Sequence, residues 1–112
     1  MDLATIVKTL GLEVKSTNSD LTGEITGAYI SDLLSDVIAN SRKGELWLTL
    51  QVHPNIIAVA TLKDLAGIIL VNGRQPEEET LKRAEEENIP LMATRLPTFQ
   101  LAGRLYGLIG KC

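Results

Sequence analysis

Hydrophobic residues follow two spacings along the chain, and the spacings alternate. Apolar residues recur at helical spacing over residues 1–10, 31–40, 55–65, 76–87 and from 97 to 108, which predicts five helices. Shorter apolar or alternating runs predict strands over residues 12–15, 24–30, 46–50, 67–71 and 89–93. The run over residues 67–71 is continuously apolar, which is typical of a strand covered on both faces.

The order of these elements predicts an α/β fold. From residue 24 onward each strand is followed by a segment of helical length, so successive strands are expected to be parallel and joined by right-handed crossovers. The full length of 112 residues suits one domain with one core. We therefore expect a single domain over residues 1–112, a three-layer sandwich in which a small, mainly parallel sheet is flanked by helices.

Several polar residues fit the predicted helix ends. Gly11 fits a C-terminal cap of the first helix. Ser31 fits an N-cap of the second helix, with Asp32 placing a negative charge in its first turn. Thr98 fits the N-cap of the last helix, and Asn72-Gly73 fits a turn after the most apolar strand.

Composition excludes several classes of protein. A net charge of −3 gives no general attraction to nucleic acid or anionic lipid, and 4% aromatic residues leave little for base stacking. The single cysteine, Cys112, cannot form an internal disulfide or supply a cysteine-based zinc or iron–sulfur site. No apolar run is long enough for a membrane span and no targeting segment is evident, so a cytoplasmic protein without cofactor or metal is expected.

Polar side chains come directly after several of the predicted strands. In a parallel sheet the carboxyl ends of the strands lie at one edge, and ligands bind at this edge in such folds. The candidate ligand-binding residues at this edge are His53, Asn55, Asn72, Arg74, Thr94 and Thr98. Arg74 suits phosphate or carboxylate, and the start of a helix at Thr98 suits an anion. Three of them also have a purely structural interpretation: His53 packs at the start of a helix, Arg74 is an exposed turn residue, and Thr98 is a cap. One histidine and one cysteine do not make a nucleophile–base–orienter set, so catalysis is not expected.

Longer stretches of sequence resemble a known family. Residues 67–80 (GIILVNGRQPEEET), 88–94 (NIPLMAT) and 96–99 (LPTF), with 27–36 (GAYISDLLSD) and 46–55 (LWLTLQVHPN), resemble a stand-alone DRTGG domain. That domain is similar to the N-terminal domain of HPr kinase/phosphorylase. The resemblance covers nearly the whole chain from Gly23 onward. One departure is clear, since residues 51–55 read Gln-Val-His-Pro-Asn where the family carries Asp-Arg-Thr-Gly-Gly.

The resemblance implies a non-catalytic regulatory or ligand-sensing module that acts as a homodimer and binds a nucleotide-like anion. Family members lie beside CBS domains, and one lies by a diadenosine-polyphosphate site in a pyrophosphatase. The kinase P-loop of HPr kinase lies in another domain, so kinase activity is not implied. One alternative is a partner-binding accessory subunit without a small-molecule ligand, which would serve a hydrogenase or other redox complex. Its apolar docking surface would lie within residues 46–70 and include Trp47. A small enzyme that depends on His53 or Arg74 is a third.

Overall fold

The computed structural model describes residues 1–17 and 20–110, so Cys112 lies outside the described residues. The elements follow the predicted order. They are α1 (Leu3–Leu10), β1 (Glu13–Val14), β2 (Gly27–Ile30), α2 (Leu34–Asn40), β3 (Glu45–Thr49), α3 (Asn55–Lys63), β4 (Gly67–Leu70), α4 (Glu78–Glu87), β5 (Leu91–Ala93) and α5 (Thr98–Ile109).

The strands form one mainly parallel sheet, as the alternation of elements predicts. Their order is β1-β5-β4-β3-β2, and the four strands β2, β3, β4 and β5 are parallel to one another. The short β1 pairs antiparallel with β5, with Glu13 opposite Ala93 and Val14 opposite Met92. This pairing places the start of β1 beside the carboxyl end of β5.

Helices cover both faces of the sheet, which confirms the three-layer sandwich. On one face α2, α3 and α4 pack over Trp47, Ile68 and Leu91, and on the other α1 and α5 pack over Leu48 and Ile69. Successive β4 residues face opposite layers, and all four are buried. The continuous apolar run of this strand is thus explained by cover on both sides.

At the carboxyl edge of the sheet, the connections after two neighbouring strands, β4 and β5, lead to opposite helical layers. The connections after β2, β3 and β4 enter helices of the same layer, α2, α3 and α4. The connection after β5 enters α5 in the opposite layer. In open parallel sheets, neighbouring loops that leave toward opposite faces form a crevice between them. Here that crevice must lie between the ends of β4 and β5.

Two predicted helix caps are wrong. Helix α2 begins at Leu34, after an N-cap at Leu33 that has no capping side chain, so Ser31 is not the cap and Asp32 is outside the first turn. Ser31 instead follows β2 and is held against β3, because its backbone N–H donates to the Leu48 carbonyl (3.4 Å) and its own carbonyl accepts from the Trp47 indole Nε1 (2.8 Å).

The last helix shows a similar difference at its start. Thr98 is the first residue of α5 rather than its N-cap, a position taken by Pro97, which offers no capping side chain. At the first helix the prediction is confirmed: Gly11 ends α1 in the left-handed conformation, φ 64°, where glycine avoids the cost of a Cβ.

Candidate functional site

Asp32 fastens the ends of β2 and β3 to each other. Its Oδ1 accepts from the Thr49 hydroxyl (2.8 Å) and from the Leu50 backbone N–H (2.7 Å), while its carbonyl accepts from the Gln51 side-chain amide (3.0 Å). Thr49 is buried, so the carboxylate satisfies a hydroxyl that has little access to water. Asp32 therefore fixes the start of the loop that carries His53.

The loops after β4 and β5 are joined through their backbones. The Asn72 N–H donates to the Leu96 carbonyl and the Gly73 N–H donates to the Thr94 carbonyl, each at 2.9 Å. Asn72 (φ 60°) and Gly73 (φ 73°) are both left-handed, a conformation that these two residue types tolerate. The turn predicted at Asn72-Gly73 is confirmed, and it holds the crevice between the two loops in a defined shape.

An open groove of about 860 Å³ occupies this crevice. Three segments line it: the α1–β1 junction, the loop after β4, and the loop after β5 with the start of α5. The lining residues are Gly11, Glu13, Lys15, Gly73, Gln75, Ala93, Thr94, Arg95, Leu96, Pro97 and Gln100. This volume lies within the range of small-molecule and cofactor sites.

The groove carries two cations and one carboxylate. Lys15 Nζ lies 3.0 Å from Glu13 Oε1, whereas Arg95 is exposed and has no ion pair among residues 1–17 and 20–110. Pro97 and Gln100 place the amino end of the 12-residue helix α5 at the groove wall, and no side chain caps that end. The amino end of α5, where the helix dipole is positive, thus lies at the groove together with Arg95.

The structure brings the six predicted site residues to one edge of the sheet but does not gather them all in this groove. Thr94 lines it. Asn72 and Arg74 flank its lining residue Gly73, and Thr98 follows its lining residue Pro97. The remaining two, His53 and Asn55, lie where β3 leads into α3, outside the groove lining, with the Asn55 N–H donating to His53 Nδ1 (3.1 Å).

Neither cation of the groove lining is among the six predicted site residues. Lys15 belongs to the groove only because β1 pairs antiparallel with β5, a long-range contact without a local signal. Arg95 follows β5 directly, and its position after a buried strand could have singled it out in the same way as Arg74.

Trp47 cannot belong to the apolar docking surface predicted within residues 46–70. Trp47 is fully buried beneath the helical layer of α2 and α3, and its indole N–H is bound to Ser31. The low charge of this segment reflects the central strands β3 and β4, which are covered by helices on both faces.

A second polar cluster joins β2 to α2. The Tyr29 hydroxyl lies 2.9 Å from both carboxylate oxygens of Asp36, which also accepts from the Asn40 amide (2.8 Å). Hydrogen bonds from Ser31, Asn40 and Tyr29 hold the pKa of Asp36 below its usual value, and the bond to Asp36 raises the pKa of Tyr29. The cluster has its donors and acceptors matched, as expected of a structural contact.

Within residues 1–17 and 20–110, no three His, Cys, Asp or Glu side chains lie together as a set of metal ligands. In the same part of the chain, no helix has the length and apolar character that crossing a bilayer requires.

Comparison with known proteins identifies the family. The sequence matches the DRTGG domain over residues 5–108, nearly the whole chain, and the chain therefore belongs to the DRTGG domain family. None of the curated proteins matches it.

One similar solved structure shows the CBS and DRTGG domains of the regulatory region of Clostridium perfringens pyrophosphatase, complexed with its activator, diadenosine tetraphosphate. Its TM-score to this chain is 0.68 at 19% identity, and the match covers 92% of this chain and 44% of that one. The chain thus spans less than half of the pyrophosphatase region, and the likeness confirms the fold.

Proposed function

We propose that this chain is a non-catalytic regulatory module that binds a nucleotide-like anion in the groove between the ends of β4 and β5. The observation that carries the proposal is the divergence of the two loops toward opposite helical layers, which opens the crevice where ligands bind in parallel sheets. Membership of the DRTGG family supports a regulatory role.

The charges of the groove favour the phosphate part of such a ligand. Arg95 offers a planar set of donors without a competing carboxylate among the described residues, and Lys15 adds a second cation. The amino end of α5 supplies backbone N–H groups that favour negative charge. Gln75 and Gln100 add neutral hydrogen-bonding groups for a base or sugar.

The pyrophosphatase region supports the choice of ligand class, since that protein is complexed with a dinucleoside polyphosphate. A groove of about 860 Å³ is large enough for a nucleotide. In this proposal Thr94 lines the bound ligand, and Asn72, Arg74 and Thr98 form its rim. His53 and Asn55 lie one strand further along the edge, so they meet only a ligand that extends beyond the groove.

A regulatory rather than a catalytic role is supported by the groove's side chains. His53, the only histidine, lies outside its lining, and the lining offers a single carboxylate, Glu13, already paired with Lys15. Such a set binds and orients an anion but has no base free to move a proton. The module is further proposed to act as a homodimer in the cytoplasm.

The test is a thermal-shift and calorimetric panel of mononucleotides, dinucleoside polyphosphates and inorganic phosphate. A ligand at about 100 times its Kd stabilises the folded state by about 2.7 kcal/mol, an easily measured rise in Tm. We expect Arg95→Gln and Lys15→Gln each to weaken binding roughly 10-fold, a typical loss for one charge-assisted contact.

The matched control is Arg42→Gln, which removes an exposed arginine just before β3. Arg42 therefore lies near the amino ends of the parallel strands, away from the groove at their carboxyl ends. It should bind as the natural sequence does. Absence of any shift at millimolar concentrations of all three ligand types would contradict the proposal, as would equal losses in the Arg42 and Arg95 variants.

A further inference from the structure

Helix α5 presents an apolar surface to solvent. Phe99 is 89% exposed and Tyr106 is 55% exposed, two turns further along the same side of the helix. Arg104 is the single charged residue between Thr98 and Ile109. Large exposed aromatic side chains on a nearly uncharged helix mark a surface that is covered in the working protein.

A small apolar groove adjoins these aromatic residues. It lies between β2 and α5 and has a volume of about 150 Å³. Its walls are Ala28, Ile30, Leu48, Ala102, Leu105, Tyr106 and Ile109, all of them apolar except for the Tyr106 hydroxyl. Ile30 is 48% exposed, so the apolar surface continues from α5 onto the end of the edge strand β2.

Two glycines in the same helix have no explanation within one chain. A Cβ placed on Gly103 or on Gly107 would meet nothing within 4 Å. Glycine inside an exposed helix destabilises the helix relative to alanine, and here it relieves no internal contact. The open backbone at these positions suits the close approach of another helix to the surface formed by Phe99 and Tyr106.

We propose that a second copy of this chain covers this surface, with the two α5 helices antiparallel and Phe99 of each copy seated in the apolar groove of the other. The projecting ring and the groove lie on the same helix, about 10 Å apart along its axis, since each residue rises 1.5 Å. A two-fold axis near Gly103 therefore places each Phe99 opposite the partner's groove. One patch that carries both the projection and its recess is self-complementary, as a two-fold interface requires.

The exposed apolar area is consistent with a dimer. The uncovered parts of Phe99, Tyr106 and Ile30 amount to roughly 350–400 Å², taking aromatic side chains at about 150–250 Å² each. A standard interface buries about 800 Å² per partner, of which rather more than half is apolar. The three side chains thus supply most of an interface core, and Arg104 adds a polar group on the same helix.

This inference rests on the homodimeric part of the proposed function and is tested separately from ligand binding. Sedimentation equilibrium would be measured for the natural sequence, Phe99→Gln and Gly103→Gln. Each dimer of Phe99→Gln loses two aromatic anchors, so its dimer Kd should rise about 100-fold or more. Gly103→Gln should weaken the dimer comparably, although a Cβ fits there within one chain and glutamine favours the helix.

The control is Leu62→Gln on α3, in the opposite layer, which replaces a leucine of 69% exposure and should leave the dimer unchanged. Circular dichroism and Tm verify that each variant is folded. If the natural sequence stays monomeric, the homodimer is overturned. If it dimerises and both α5 substitutions leave the dimer Kd unchanged, the proposed surface is overturned. The nucleotide titration of Arg95→Gln is independent, so loss of one proposal is distinguishable from loss of the other.

Discussion

Replacing Asp32 tests whether the contact between β2 and β3 stabilises the candidate edge of the sheet. Asp32→Ala removes two hydrogen bonds to a charged acceptor, one from the Thr49 hydroxyl and one from the Leu50 N–H. Such bonds contribute about 1.5–3 kcal/mol each when shielded, and less here because Asp32 is exposed to solvent. We expect a loss of about 2 kcal/mol in the free energy of unfolding.

The size of the thermal shift follows from chain length. A chain of 112 residues has an unfolding entropy of about 0.24 kcal/mol/K at its Tm, so a loss of about 2 kcal/mol lowers Tm by about 8 °C. Asp32→Asn keeps a neutral acceptor at the same place and should lower Tm by about half as much. Calorimetry or a urea titration at neutral pH measures both.

Asp64→Asn is the matched control. It also removes one carboxylate, but from an exposed ion pair with Lys43 (3.4 Å), which is worth about 0–1 kcal/mol. Asparagine also tolerates the left-handed conformation of this residue, φ 56°. A double-mutant cycle with Thr49→Val should give a coupling energy of about 1 kcal/mol. If Asp32→Ala shifts Tm no more than Asp64→Asn, or the coupling is zero, the reasoning fails.

Two further predictions concern a buried hydroxyl and an acid-sensitive carboxylate. Thr80→Val removes the 2.6 Å bond from a buried hydroxyl of α4 to the Val52 carbonyl and should cost about 1 kcal/mol by urea titration. Thr61→Val, whose hydroxyl bonds within α3 at 2.9 Å and is exposed, should cost less, and equal losses would contradict the argument. Hydrogen bonds, chiefly from Ser31, lower the folded-state pKa of Asp36, so its stabilisation is present above the unfolded pKa and is lost as pH falls through the folded value. The stability gap between the natural sequence and Asp36→Asn, from urea midpoints, should therefore narrow below about pH 4, and a constant gap would refute the assignment.

The fold was predictable because its signals are local. Period-2 and helical spacings are properties of neighbouring residues, and the alternation of strands with helices leaves few topologies for a parallel sheet. The start of α2 was not predictable in this way. Ser31 and Asp32 have the chemistry of a helix start, but contacts with β3 from Trp47 and Thr49 hold them outside the helix. Long-range contacts with β3 thus outweighed the local preference of these two residues for a helix start.

For the candidate site too, local signals were predictable and long-range contacts were not. Its edge of the sheet was predictable, since carboxyl ends of parallel strands must lie together. The position of the groove was not, because it depends on which layer each helix joins, and on the pairing of β1 with β5. For that reason Lys15 could not be predicted from the sequence, and His53, which follows β3, lies outside the groove lining.

The pairing of β1 with β5 has a consequence for folding and for ligand response. The Lys15 N–H donates to the Leu91 carbonyl (2.7 Å) and the Leu91 N–H donates to the Ser16 hydroxyl (2.9 Å), across 75 residues of sequence. Pairing segments so distant in sequence closes a long loop at an entropic cost, so we expect this edge of the sheet to form late in folding. A ligand that contacts both Lys15 and Arg95 would connect the segment after β1 with the segment after β5. Binding of such a ligand should slow amide hydrogen exchange in residues 12–16 as strongly as in residues 93–97. Exchange in residues 12–16 would therefore report whether the groove is occupied.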